Sequence, residues 1–441
     1  MKSRLNNNRK LYRHEILLYI LTFVFLFQAP LQVLIFDNVH YLIYILIFAL
    51  TFIDRFLYGK FRLDSRSIFL LLFITLYIFV SLLFLPSVLI SAIGALDYFF
   101  PFLYPIVFVS LFRKRFRIVR YAKYVVFLLF IMAVFGIYQR FVDPTIFGIM
   151  SKISSYYTYE TLTFVDSYRV SSFFNSSTAY SLAIGLAIAL LIELRRRYSF
   201  VPWVFMLVVL NFGGLVSAGK MFIFIEFVAI ALVVFAFIIG NKNIIITKKT
   251  FVYLRVSLLL IVFVLVFFWQ KISSLFSQLG PSINRIFLVF TDPSTFFDQE
   301  KGRMGYMSVL FDSDLVNLTL GHGLGTSSYS ANNLLGSSYS FTRVTLESYA
   351  FSWWYEMGVF GFALFVYMFG IRSLCSYLKN EPLSIVRVCA FICMFITPAF
   401  YNISMIFLWV IMFSGDYRVK NHKHYHRNHK NPIDIAVLCQ Q

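Results

Sequence analysis

Arg169, Lys220, Arg303, His322 and Glu347 are polar groups capable of chemistry, and each stands where an apolar run ends or a polar stretch begins. Arg169 opens the string RVSSFFNSSTAYS, which leads into an apolar run. The serines, Asn175 and Thr178 there suit a helix start, and an arginine at that depth faces either headgroups or a polar cavity. Lys220 ends Ser217-Ala218-Gly219-Lys220 at the head of another run. Taken singly, Arg169 and Lys220 are more often interfacial cations whose apolar stems snorkel. Arg303 lies in GRMGYMSVLFDS, where Met304, Met307, Leu310 and Phe311 recur at helical spacing; its ordinary role is pairing with Asp298 or Glu300. His322 sits in Gly321-His322-Gly323-Leu324-Gly325. With no preceding strand and no G-x-G-x-x-G spacing, this is not a nucleotide fingerprint. It reads as a tight turn that lets backbone approach a ligand or a neighbouring helix. Glu347 begins ESYAFSWWYEMGVFGFALF. A carboxylate at such a boundary is either a helix N-terminal charge or a proton acceptor in a cavity. Glu356 is expected nine residues deeper in the same run.

These residues must be positioned by membrane-embedded helices. The chain is 60% hydrophobic and 13% charged, and its apolar stretches run to about 20 residues, the length that crosses ~30 Å of hydrocarbon. The sequence predicts an all-α polytopic membrane protein of about twelve spans: 15–36, 39–54, 67–86, 89–112, 121–141, 174–194, 200–217, 220–240, 251–270, 347–370, 385–400 and 402–415. The last two are short enough to form a re-entrant pair. The first is too long for a signal-peptide core and lacks a small-residue cleavage site. The domains are then a membrane part over 1–270, an extracytoplasmic loop with short helices over 271–346, a second membrane part over 347–415, and a basic cytoplasmic tail over 416–441. A loop that long usually carries function.

The formal charge of +19 would suit a nucleic-acid binder only on the basic face of a soluble domain. Here the cations cluster in short gaps between spans. With the N-terminus inside, thirty of the 39 basic residues fall on the inner side, including the cluster RKRFRIVRYAK. That places both termini in the cytoplasm and the 271–346 loop outside. The tail string NHKHYHRNHK reads as a solvated basic segment on anionic headgroups rather than a metal site. Cys375 and Cys439 fall in predicted cytoplasmic segments, and Cys389 and Cys393 share one helix face as small hydrophobes, so no disulfide framework is expected.

RVSSFFNSS at 169–177, SAGK at 217–220, the Arg303 helix, GHGLG at 321–325 and ESY…E-x-G-x-x-G at 347–361 together resemble the O-antigen polymerase/ligase superfamily. Its members are Wzy-type bacterial polysaccharide polymerases and their lipid A-core ligase relatives. The resemblance covers the membrane architecture and the long loop before the tenth span. It implies transfer of a glycan from an undecaprenyl-diphosphate-linked oligosaccharide to an acceptor sugar hydroxyl at the outer face of the inner membrane, with no cofactor and no metal. By motif, Arg169 and Arg303 match the loop arginines that hold the diphosphate, which guanidinium binds bidentately and without loss of charge. Electrostatic stabilisation of the departing diphosphate removes the need for a metal, and the sequence holds no D-x-D cluster. Lys220 stands where the family usually has arginine, keeping the charge but losing the fork. Glu347 stands where ligases carry histidine, which points away from ligase and towards polymerase. Lys220, His322 and Tyr339 complete the expected substrate-binding set, with Tyr329, Trp353 and Trp354 either stacking on sugar rings or anchoring in the interfacial belt. The family also implies a chain-length co-polymerase as partner, besides membrane lipids. The alternatives are a ligase of the same superfamily and a lipid-linked-oligosaccharide flippase. A flippase predicts discontinuous helices and charge at midplane, where only Glu226 and Asp97 are candidates.

Overall fold

The computed structural model describes residues 13–35, 39–57, 65–84, 88–92, 94–95, 103, 105, 118–149, 170–174, 176–217, 219–238, 314–327, 348–397, 399–401 and 403–414. Among these the regular structure is helical throughout, with no strand. The helices are α1 (Arg13–Leu26), α2 (Gln28–Leu34), α3 (Val39–Leu57), α4 (Ser65–Phe84), α5 (Ile118–Phe141), α6 (Ser177–Glu193), α7 (Phe200–Val216) and α8 (Met221–Ile238). A short α9 (Leu315–Leu320) precedes α10 (Tyr349–Phe365), a π-helical stretch (Val366–Ile371), α11 (Arg372–Leu378), α12 (Ser384–Met394) and α13 (Ile406–Phe413).

Their apolar character makes this a membrane protein. By length and composition two helical runs are long and apolar enough to cross a bilayer, Ile118–Phe141 and Tyr349–Leu378, the second broken at Gly358. A third exists if the bent pair Glu15–Leu26 and Gln28–Leu34 is one span. The expectation of a straight span over 15–36 is corrected by a 79° bend between the two. Pro30 supplies the cause. It has no N–H for the Leu26 carbonyl four residues back, and its ring crowds that carbonyl, while Phe27 and Leu31 on either side keep their bonds to Phe23 and Phe27. At the other end of the chain, α12 and α13 have 11 and 8 residues, too few to cross singly.

The core is built around α6, which is buried along nearly its whole length and packs against α5, α7, α8 and α12. One end of the bundle is basic. There Lys123 donates to the Arg197 carbonyl (2.7 Å) beside Arg195–Arg197. Arg387 is 3% exposed at this end. It donates to Ile411 O (3.0 Å), Ser376 Oγ (2.5 Å) and Ser414 Oγ (3.3 Å) and lies 3.6 Å from Glu381. A buried guanidinium is tolerable only with this degree of pairing, and the network ties α11, α12 and α13 together. Cys389 and Cys393 are free and buried, as expected. Cys375 departs from the expectation: it is disulfide-bonded.

Candidate functional site

Three helices begin towards the end of the bundle opposite the basic one. Ser176 caps α6, accepting from the Ala179 amide at 3.0 Å. On the second turn of α6, Ser181 Oγ accepts the Phe222 amide of α8 at 3.2 Å, so α6 and α8 run parallel with their starts side by side. Helix α12 runs the other way: its Val386 amide meets Glu193 at the C-terminus of α6 (3.4 Å). At its far end Met394 O accepts from Ser348 Oγ (3.3 Å) and Thr397 O accepts the Tyr349 amide (3.3 Å), which fixes the start of α10. At ~1.5 Å per residue, Met394 stands about 12 Å above the Glu193 level, Phe222 about 18 Å and Ser177 about 24 Å. Three motif-bearing segments are thereby brought within roughly two helical turns of the same height.

Helix α10 is not the straight span expected over 347–370. Tyr349 and Phe365 would be about 24 Å apart on a straight helix, yet their ring centroids are 6.1 Å apart. Trp354 and Phe362 stack at 4.8 Å. The chain reverses at Gly358, whose φ of 62° and ψ of −165° are open essentially only to glycine. A first half-helix, Tyr349–Met357, therefore pairs with a second leg that continues to Leu378 at the basic end, where Tyr377 donates to the Leu232 carbonyl of α8. Because Phe365 is level with Tyr349 and the second leg runs to the basic end, Gly358 is the point of this hairpin farthest from the basic end. Glu356, expected nine residues further into a straight span, instead lies farther from the basic end than Ser348, because the chain reverses just beyond it.

The glycine string wraps the turn of this hairpin. A Cβ on Gly358 would stand 2.0 Å from Thr319 O, so α9 lies directly on it. The His322 amide donates to Tyr355 O (2.9 Å) and the Gly323 amide to Glu356 O (3.0 Å). The Glu356 carboxylate, fully buried, accepts the Gly325 amide (2.7 Å), the Ser327 amide (2.8 Å) and the Ser327 hydroxyl (2.6 Å). From α4, Tyr77 donates to the carbonyls of Leu320 and Met357, and Ser81 Oγ accepts the Leu324 amide at 3.0 Å. Glu356 is thus a structural anion that organises a loop rather than a proton acceptor in a cavity.

His322 and Lys220 are the expected site residues that fall among those described. Lys220 is half-buried at the head of α8, its carbonyl accepting the Phe224 amide at 3.2 Å. His322 is also half-buried, its ring stacked on Tyr355 at 4.1 Å and 10°. Arg169, Arg303, Tyr339 and Glu347 lie outside the described residues, as does Tyr329. Val170 and Ser348, the described residues flanking Arg169 and Glu347, are both buried. The turn after Arg169 is pinned to α5: Ser172, at φ 51°, donates its amide to Gln139 Oε1 (2.8 Å) and its hydroxyl to Met132 O (2.9 Å). The tryptophans do not form an open sugar platform. Trp353 is fully buried against Phe365 and Phe369, and Trp354 is half-buried on Phe362.

No family model, curated protein or solved structure matches this chain. The site therefore stands on its own geometry. Sequence reasoning missed Ser327, Tyr355, Tyr77 and Ser81, which hold the glycine string. No spacing rule links Ser327 to Glu356 across 29 positions; the signal available was the isolated glutamate inside an apolar run.

Proposed function

We propose that this protein polymerises undecaprenyl-diphosphate-linked oligosaccharide repeat units, as a metal-independent membrane glycosyltransferase of the Wzy-type kind, in bacterial surface-polysaccharide synthesis. In this reading it has about twelve spans in the inner membrane with both termini cytoplasmic, and the 271–346 loop caps an outward-facing cavity. The observation that carries the reading is that the segments bearing RVSSFFNSS, SAGK and the start of ESY all stand away from the basic end, with GHGLG wrapped on the hairpin that ESY begins. A diphosphate held there by Arg169, Arg303 and Lys220 leaves as its charge is neutralised, while an acceptor hydroxyl attacks the anomeric carbon. Glu347 or another group near the mouth takes the hydroxyl proton. Clustering of Lys123, Arg195, Arg196, Arg197 and Lys379 at the opposite end supports the assigned orientation.

A second reading, a lipid-linked-oligosaccharide flippase, draws on two observations. Transporters use discontinuous helices, and here α10 reverses at Gly358 and the α1–α2 pair bends at Phe27. Against it, Glu226 of α8, half-buried, has a local hydrogen-bond partner in Asn211 of α7, which accounts for that carboxylate by packing. Reconstitution in liposomes with purified lipid-linked repeat units separates the readings: a ladder of elongated product supports polymerase, and transbilayer movement without elongation supports flippase.

A further inference from the structure

We infer that His322 Nε2 is the proton acceptor for the incoming sugar hydroxyl, an assignment that rests on the polymerase reading and deepens it. Three contacts fix the imidazole. Its own amide donates to Tyr355 O at 2.9 Å, its Nδ1 lies 3.0 Å from the same oxygen, and its ring lies flat on the Tyr355 phenol at 4.1 Å. A carbonyl oxygen only accepts, so Nδ1 carries a hydrogen, and in the uncharged form of the ring the lone pair is then at Nε2. Within 321–327 every other residue is buried, and His322 alone reaches partly into the open. The string is therefore built to hold one side chain out while the rest packs.

The nearby carboxylate cannot do this work. Glu356 is fully buried and its two oxygens accept three hydrogen bonds from Gly325 and Ser327. The other titratable groups on the elements packed round His322, among the described residues, are Tyr355 beneath the ring, Tyr77 with its hydroxyl on the Leu320 and Met357 carbonyls, and Asp314, which caps α9. Asp314 accepts the Asn317 amide at 2.8 Å. In the transfer step the acceptor O–H proton passes to Nε2 as the hydroxyl oxygen forms its bond to the anomeric carbon. The bond from that carbon to the diphosphate oxygen breaks, and its electron pair leaves with the diphosphate. The imidazolium then returns its proton to water or to the released diphosphate.

The test compares wild type with His322→Asn in the liposome elongation assay. Asparagine retains a donor near the Nδ1 position for the Tyr355 carbonyl but has nothing at Nε2. Expected are a fall in kcat of about 100-fold or more, a KM for the lipid-linked donor unchanged within about twofold, and loss of the acidic limb of the kcat–pH profile. Added imidazole should restore part of the activity to His322→Ala. Unchanged kcat and pH profile in His322→Asn, or an effect on KM alone, overturns the assignment while leaving the polymerase reading intact. A folded wild type that never elongates the donor overturns both.

Discussion

Ser327 gives both its amide and its hydroxyl to one oxygen of Glu356, at 2.8 and 2.6 Å, joining the glycine string to a helix 29 residues away. With Gly325 on the second oxygen at 2.7 Å, the buried carboxylate has a full set of donors. A buried charge is affordable only on such terms.

Glu356→Gln should be destabilising by about 1–3 kcal/mol, since an amide NH2 must then face the Gly325 N–H or the Ser327 donors. Glu356→Ala should cost more, because all three donors lose their acceptor. Thermal unfolding in detergent measures the order, and protease nicking near residues 321–327 should rise in step. Equal melting temperatures for wild type and Glu356→Ala would contradict the clamp.

Gly358→Ala should be among the most damaging single substitutions. Its φ of 62° with ψ of −165° strains any side chain by about 1–3 kcal/mol, and the new methyl would meet Thr319 O at 2.0 Å. Loss of monodisperse protein on size exclusion is the expected result. A variant as stable as wild type would mean that α10 does not reverse there.

Gly136 on α5 makes room for Tyr180 of α6: a Cβ at 136 would stand 2.2 Å from the Tyr180 hydroxyl. That hydroxyl is buried and has no hydrogen-bond partner. Gly136→Ala should cost about 1–3 kcal/mol by overpacking. Tyr180→Phe should be neutral or stabilising, and the double variant should lose less than the two single effects combined. Additive melting shifts would show that the two residues do not share this contact.

After α5, Asp143 closes a turn by accepting the Thr145 hydroxyl (2.6 Å), the Thr145 amide (2.8 Å) and the Phe147 amide (2.6 Å). The Thr145 hydroxyl, followed by the two amides, holds its carboxyl below the usual range. A carboxyl depressed in the folded state contributes above its unfolded value, about 3.9, and loses that contribution as pH falls through the lower folded value. Hydrogen exchange of the 145–148 amides should therefore accelerate below that point relative to neighbouring amides. In Asp143→Asn it should be fast already and show no such step.

The sequence made some of this legible. Ser217-Ala218-Gly219-Lys220 reads as a turn before a helix, and α8 starts at Met221. The glycine string reads as a close backbone approach, and it lies against α10. The bend at Phe27 had a signal in Pro30 that the continuous apolar run concealed. Gly358 was not legible as a reversal, because glycine in E-x-G-x-x-G also suits close helix packing and only φ distinguishes the two. The pairing of Ser327 with Glu356 depends on tertiary folding and leaves no local period to read.

The most direct test of the central claim is elongation of purified undecaprenyl-diphosphate repeat units by the reconstituted protein, with Arg169→Ala and Arg303→Ala in parallel. The polymerase account predicts a ladder of longer lipid-linked glycans with wild type and none with either variant, all three proteins being folded and inserted equally. Movement of the donor across the bilayer with no longer product, unaffected by either substitution, would contradict it.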